Sequence, residues 1–142
     1  MSEKIIIGID PGVNTGVALI VNGQIKALRT ILPWGIEHEL TTTRPARVVF
    51  EDSRLQSHTW SNAPTKAAAA KIARNVGEID AWCKLIVGIC DRLNIPAHGI
   101  SPKKKGAKTK PDEFKTITGW TGPSNEHTRD AAMVAWPYRR AA

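Results

Sequence analysis

Near the N-terminus an apolar run, Ile5-Ile6-Ile7-Gly8-Ile9, stops abruptly at Asp10-Pro11-Gly12. With β-branched residues on both faces, positions 4–9 read as a strand buried on both sides, the kind found in a sheet covered by helices. Asp10 at its tip is the costly element, because a carboxylate at the end of a buried strand needs a cationic partner. The pattern recurs at Val48-Val49-Phe50, which ends in Glu51, and His127 and Asp130 stand at the start of an Ala-rich segment. Three segments thus end in acids, in a chain whose net charge is +7 and whose pI is about 9.7. That combination reads as a metal-ion site that works on a polyanion.

The rest of the chain supplies a sheet and its covering helices. Pro11 to Thr15 read as a turn, 16–21 as a second strand, and Asn22-Gly23 as a tight hairpin leading into a third strand over 24–31. Residues 32–46, with Pro33, Gly35 and Pro45, are expected to form a loop with a short helix, and 47–51 another buried strand. Ile72, Val76, Ile79, Cys83, Ile86, Cys90 and Leu93 alternate by four and three, which predicts an amphipathic helix over 65–93. Trp82, Leu85 and Ile89 widen its apolar stripe, so the helix either lies across the sheet or also carries a dimer interface. Gly77 and Gly88 each cost such a helix about 1 kcal/mol, which predicts close packing of a neighbour there. A strand over 95–100 with Pro96 at its edge, a helix over 112–119 and a final helix over 124–136 complete the order. Helices following and interleaving strands predict an α/β architecture, and 142 residues fit one domain.

Composition narrows the function classes. A hydrophobic fraction of 42% with mixed charge argues for an ordinary globular chain. No apolar run approaches the roughly 20 residues needed to span a membrane, and the early run, broken by Asp10 and Gly12, is not a signal pattern. The basic balance therefore favours phosphate backbones over membrane surfaces. Cys83 and Cys90 lie about 10 Å apart on one helix, too far to bridge, and zinc would need further ligands at regular spacing. They are expected to be reduced and buried, which suits the cytosol.

His127 and Asp130, three apart, share one helix face. If that helix begins beside the ends of the first and fourth strands, Asp10, Glu51, His127 and Asp130 converge. Carboxylate oxygens suit Mg²⁺, and two such ions about 4 Å apart suit phosphodiester hydrolysis. Asp52 and Glu126 flank the four and are alternative ligands. The stretch Ser101 to Lys110 holds five lysines, read either as a solvated loop or as a phosphate-binding segment.

Ile-Gly-Ile-Asp-Pro-Gly followed shortly by Thr-Gly-Val-Ala resembles the first motif of RuvC-type Holliday junction resolvases, within the RNase H-like and retroviral-integrase nuclease superfamily. Val48-Val49-Phe50-Glu51 is similar to the second motif. Ala73-Arg74-Asn75-Val76-Gly77 occupies the place of the Gly- and Arg-rich helix motif, and His127-Thr128-Arg129-Asp130-Ala131-Ala132 resembles the closing one. The four motifs stand in the family's order over nearly the whole chain. The resemblance implies an RNase H-like fold: a mixed five-stranded sheet, three antiparallel N-terminal strands then parallel ones, flanked by helices. It implies a homodimeric endonuclease that resolves four-way junctions by paired symmetric nicks, with Asp10, Glu51 and Asp130 as metal ligands. His127, where many members have aspartate, is either a ligand favouring Mn²⁺ over Mg²⁺ or a base acting on the attacking water. Arg54, Lys103, Lys104, Lys105 and Lys108 are the implied DNA contacts. Members often carry an aromatic wedge shortly after the second-motif glutamate. This chain departs there with Asp52, Ser53, Arg54 and Leu55 and has Trp60 only further on, so that Arg54 and Trp60 either meet DNA or pack locally. A bacterial or phage-infected cytoplasm is the implied setting.

Three rival readings remain at this point. A flap, branched-DNA or RNA-processing nuclease keeps the chemistry and changes the substrate. An actin-like ATPase shares the strand-Asp-x-Gly opening but needs two domains. A junction-binding protein without catalysis would use the acids only structurally.

Overall fold

In a computed structural model the protein is described over residues 3–55, 64–105 and 107–140, with Lys104 and Lys105 described by backbone alone. Five strands, β1 (Ile5–Asp10), β2 (Thr15–Val21), β3 (Gln24–Ile31), β4 (Arg47–Glu51) and β5 (Ala97–Ile100), form one sheet in the order β3-β2-β1-β4-β5. β1, β2 and β3 are antiparallel neighbours, whereas β4 runs parallel to both β1 and β5. This is the mixed five-stranded sheet expected from the sequence. Asn22 and Gly23 turn the hairpin with φ of 52° and 83°, the left-handed backbone that makes Asn-Gly the preferred pair there.

β1 is buried on both faces, as its composition requires. Ile7 and Ile9 join Val17, Val48 and Phe50 under α1 (Ile36–Thr43) and α2 (Lys66–Arg92), meeting Ile36, Leu40, Cys83, Ile86 and Cys90. On the other face Ile6, Ile20 and Val49 meet Val134 and Ala135 of α5 (Glu126–Ala135). Beside them Ala18 packs on Ala131, Ala132 and Phe114, the last from α4 (Pro111–Thr118). Each isoleucine removed fully from water contributes about 1.5–3 kcal/mol, so β1 is firmly anchored from both faces.

The segment after β3 carries the expected short helix: a 3₁₀ turn over Pro33–Gly35 runs directly into α1, whose Ile36 and Leu40 are fully buried. The lysine run opens with the short helix α3 (Pro102–Lys105). The glycines of α2 also behave differently from the prediction. A Cβ at Gly77 or Gly88 meets nothing within 4 Å, because both lie on the side of α2 turned away from the Cys83, Ile86 and Cys90 face. No close neighbour among the described residues explains them.

Candidate active site

β1 and β4 are parallel with Ile9 opposite Phe50, so the next residues, Asp10 and Glu51, emerge side by side at one end of the sheet. Both line a cleft of about 240 Å³ together with Ser53, Val76, Ile79 and Pro102. One wall is therefore α2 and the other the start of the lysine-rich segment.

α5 completes the site from the opposite face, and two glycines set how close it comes. A Cβ at Gly16 would stand 2.0 Å from the His127 carbonyl oxygen, and one at Gly8 2.1 Å from that of Ala131. Only a bare backbone lets the helix lie at this depth. Gly16 pairs with Asp10 across the β1–β2 ladder, so the helix backbone at His127 rests on the strand residue beside Asp10. The helix start is fixed as well: Asn125 Oδ1 accepts from the Thr128 backbone N–H at 2.9 Å, and Thr128 Oγ1 accepts from the Asn125 N–H at 2.9 Å. This reciprocal cap holds the first turn, where His127 stands.

His127 Nδ1 lies 3.6 Å from Asp10 Oδ2 and Nε2 lies 3.7 Å from Glu126 Oε1. These distances exceed a hydrogen bond. One turn on, Asp130 is buried at 7% exposure, and its Oδ2 is 4.0 Å from the Lys108 ammonium, which also donates to Glu126 Oε2 at 3.2 Å. Lys108 is held above its ordinary pKa by the hydrogen bond to Glu126, against a desolvation cost, with further help from the charges of Asp130, Glu126 and Asp10. Glu126 is correspondingly held below the usual carboxylate range by Lys108.

A second cluster buttresses Glu51 from behind. Asp52 is buried, its Oδ1 accepting from Arg54 Nε and its Oδ2 from Arg54 Nη2, both at 2.8 Å, and Oδ1 also from the Arg54 backbone N–H at 3.1 Å. The Arg54 fork holds Asp52 below its ordinary pKa against the opposing effect of burial. Ser53 Oγ donates to Asp80 Oδ1 at 2.6 Å, tying the turn after Glu51 to α2.

The four residues singled out by sequence, Asp10, Glu51, His127 and Asp130, thus occupy one end of the sheet. Asp10 and Glu51 share a cleft, His127 stands against Asp10, and Asp130 stands against Lys108. Among the described residues no three His, Cys, Asp or Glu side chains stand close enough together to hold an ion as they are. The donors are hard oxygens with one imidazole, a set whose chemistry suits a divalent cation, and the Lys108 ammonium stands 4.0 Å from Asp130 among them. Asp52, considered as an alternative ligand, has both oxygens engaged by Arg54. Arg54, considered as a DNA contact, holds Asp52 with two of its nitrogens. Lys103 is exposed, the side chains of Lys104 and Lys105 lie outside the described residues, and so does Trp60. Sequence reading missed Asp80 and the roles of Gly8 and Gly16. Glycine inside a strand was the available signal for the latter.

No family model matches the chain, and no curated protein matches it. Among solved structures, a Thermus thermophilus RuvC in complex with a Holliday junction substrate is similar at 16% identity, with a TM-score of 0.64 over 94% of this chain and 90% of that one. A second T. thermophilus RuvC structure is similar at 14% identity, with a TM-score of 0.60 over 93% and 91%. The chain has the fold of RuvC. No helix among the described residues is long and apolar enough to cross a membrane.

Proposed function

We propose that this protein is a divalent-metal-dependent endonuclease that cuts branched DNA, four-way junctions foremost, by paired nicks from a homodimer in a bacterial or phage-infected cytoplasm. The observation that carries the reading is Asp10 and Glu51 in one cleft, with His127 3.6 Å from Asp10, on a fold shared with a RuvC bound to a Holliday junction substrate.

Asp10, Glu51, His127 and Asp130 are the residues that would hold Mg²⁺ or Mn²⁺, two ions per site in this reading. When bound, the metal supplies Lewis-acid stabilisation of the phosphate and its leaving oxygen, and water activated at neutral pH. The remaining work falls to the chain itself. The lysine-rich segment, Lys103 and Lys108 with Lys104 and Lys105, neutralises the phosphates that approach the acids, and Arg54 adds what its engagement with Asp52 leaves over. The Asp52–Arg54 pair and the Ser53–Asp80 hydrogen bond fix the turn that follows Glu51, and the capped first turn of α5 fixes His127 against Asp10. Reorganisation on substrate binding is thereby small at those two points.

The outer side of α2 supports pairing of two chains: Gly77 and Gly88 stand open there, and Leu85 and Val87 on the same helix are 41% and 38% exposed. Two-fold symmetry in the protein matches near two-fold symmetry in a four-way junction.

The test is cleavage of a four-way junction, a flap, a linear duplex and an RNA–DNA hybrid, each with Mg²⁺, Mn²⁺ and no divalent ion. Metal-dependent, symmetric cutting of the junction is expected. Equal activity on linear duplex overturns the junction preference, cutting of the flap or hybrid instead moves the substrate, and binding without cutting leaves a junction-binding protein.

A further inference from the structure

The four most exposed large apolar side chains among the described residues are Trp34 at 75%, Val13 at 60%, Leu55 at 57% and Leu32 at 46%. All four emerge at the same end of the sheet. Val13 lies in the β1–β2 turn just past Asp10, and Leu55 closes the turn just past Glu51. Leu32 and Trp34 follow β3, whose last residue Ile31 pairs with Thr15, one step from the Gly16 that pairs with Asp10. β3 lies two strands from β1, so Trp34 is displaced from the acids by roughly 10 Å across the sheet, plus the reach of its turn.

Of these, Trp34 and Leu32 share one turn and form the most exposed apolar feature at this pole of a strongly charged chain. Trp34 is the dominant member. It rides on a 3₁₀ turn between Pro33, which is buried, and Ile36, which is fully buried, with the Gly35 N–H bonded to the Leu32 carbonyl at 2.8 Å. The indole is therefore held outward by an anchored backbone. Its acidic neighbours on α1 are already matched, Glu37 by Arg92 and Glu39 by Arg29, so no uncompensated carboxylate repels a polyanion there.

We propose that Trp34 is a base-stacking residue that receives an exposed base of the bound nucleic acid at the active-site end of the sheet, with Leu32 on the same turn extending the apolar face. The inference rests on the nuclease reading. A flat, outward indole matches the π-face of any base, whereas apolar Leu32 offers nothing to a phosphate. A base at the branch point is the occupant because a base inside a duplex keeps both faces stacked on its neighbours, whereas stacking is interrupted where the arms meet.

The test measures binding in the absence of divalent ion, by wild type, W34A, W34F and I117A, to a four-way junction carrying 2-aminopurine at the branch point and to a linear duplex. Ile117 is 44% exposed and sits on α4, just before Thr118, which lines a cleft with Gln24 and Ile25 at the other end of the sheet. Expected are about tenfold weaker junction binding by W34A, loss of its 2-aminopurine response, near-complete rescue by W34F and no change in I117A. Equal junction affinity and fluorescence response in W34A and wild type overturn the proposal. So does a W34A defect that is the same on linear duplex, or that appears only as loss of the dimer in sedimentation. Failure of the nuclease reading looks different: wild type that binds the junction and never cuts it with any divalent ion, while the W34A-to-wild-type ratio still decides the stacking.

Discussion

Asp10 and His127 meet carboxylate oxygen to imidazole nitrogen at 3.6 Å, the first contributed by the opening strand and the second by the closing helix. Substituting Asp10→Asn keeps the shape and removes the charge. Loss of an outer partner of a metal ligand already lowers activity 10- to 100-fold, so loss of a ligand is expected to lower cleavage by about 100-fold or more. Junction affinity measured by gel shift stays level or rises, because a carboxylate facing phosphate is gone. Wild-type cleavage by D10N rules out the role given to Asp10.

Gly16→Ala and Gly77→Ala make a matched pair with opposite signs. At Gly16 the new methyl would stand 2.0 Å from a backbone oxygen of α5, and at Gly77 it meets nothing within 4 Å. The first is expected to cost about 3 kcal/mol, near 10 °C in Tm, with loss of cleavage as His127 is pushed off Asp10. The second raises stability by about 0.5–1 kcal/mol through helix propensity alone. Thermal melts at low protein concentration read both, and sedimentation of G77A reports whether that face of α2 pairs closely in the dimer.

Acid should weaken the fold through Asp52. Its folded pKa is depressed by Arg54, so its contribution is complete above the ordinary carboxylate value near 4 and is lost as pH falls through the lower, folded value. Asp52→Asn is expected to cost about 2 kcal/mol at pH 7, less than a fully buried pair because the Arg54 side chain is 32% exposed. Urea unfolding of both proteins from pH 7 to pH 3 tests this: the gap closes below about pH 4. A constant gap would detach the pair from stability.

Cys83 and Cys90 should be silent to alkylation in the native protein. Both are buried, and burial raises the thiol of Cys83 and pushes that of Cys90 up to about 11. Iodoacetamide at pH 8 is expected to modify neither until denaturant unfolds the chain, after which both react. Mass spectrometry along a urea series reads this, and early labelling of Cys90 would mean that α2 opens on its own.

Much of the framework was legible because periodicity and punctuation carry it. Buried runs gave β1 and β4, Asn22-Gly23 gave the hairpin, and the four-three alternation gave α2 to within a residue at each end. The acids Asp10 and Glu51 were legible because an ionised group ending an apolar strand is hard to explain otherwise. The segment 32–46 was legible only in outline, as a loop with a short helix, because the bounds of α1 are set by the burial of Ile36 and Leu40, which is tertiary. The grip of Arg54 on Asp52 and the Ser53–Asp80 tie depend on how the turn after β4 meets β5 and α2, which no spacing encodes. The meaning of Gly8 and Gly16 is likewise tertiary, since it exists only once α5 lies across them.

That contact between α5 and two bare strand positions divides the site into unequal halves. On one side, backbone rests on backbone, so the main chain of α5 at His127 is fixed against the sheet whatever the rotamers. On the other, α2 reaches the cleft with Val76 and Ile79 only half-buried and its first turns, from Lys66 to Asn75, largely in solvent. The site as a whole is built like a vice, α5 the fixed jaw and α2 the adjustable one. Variation that adapts the protein to a different substrate shape has room to act through α2, while the geometry of the chemistry stays clamped to the sheet.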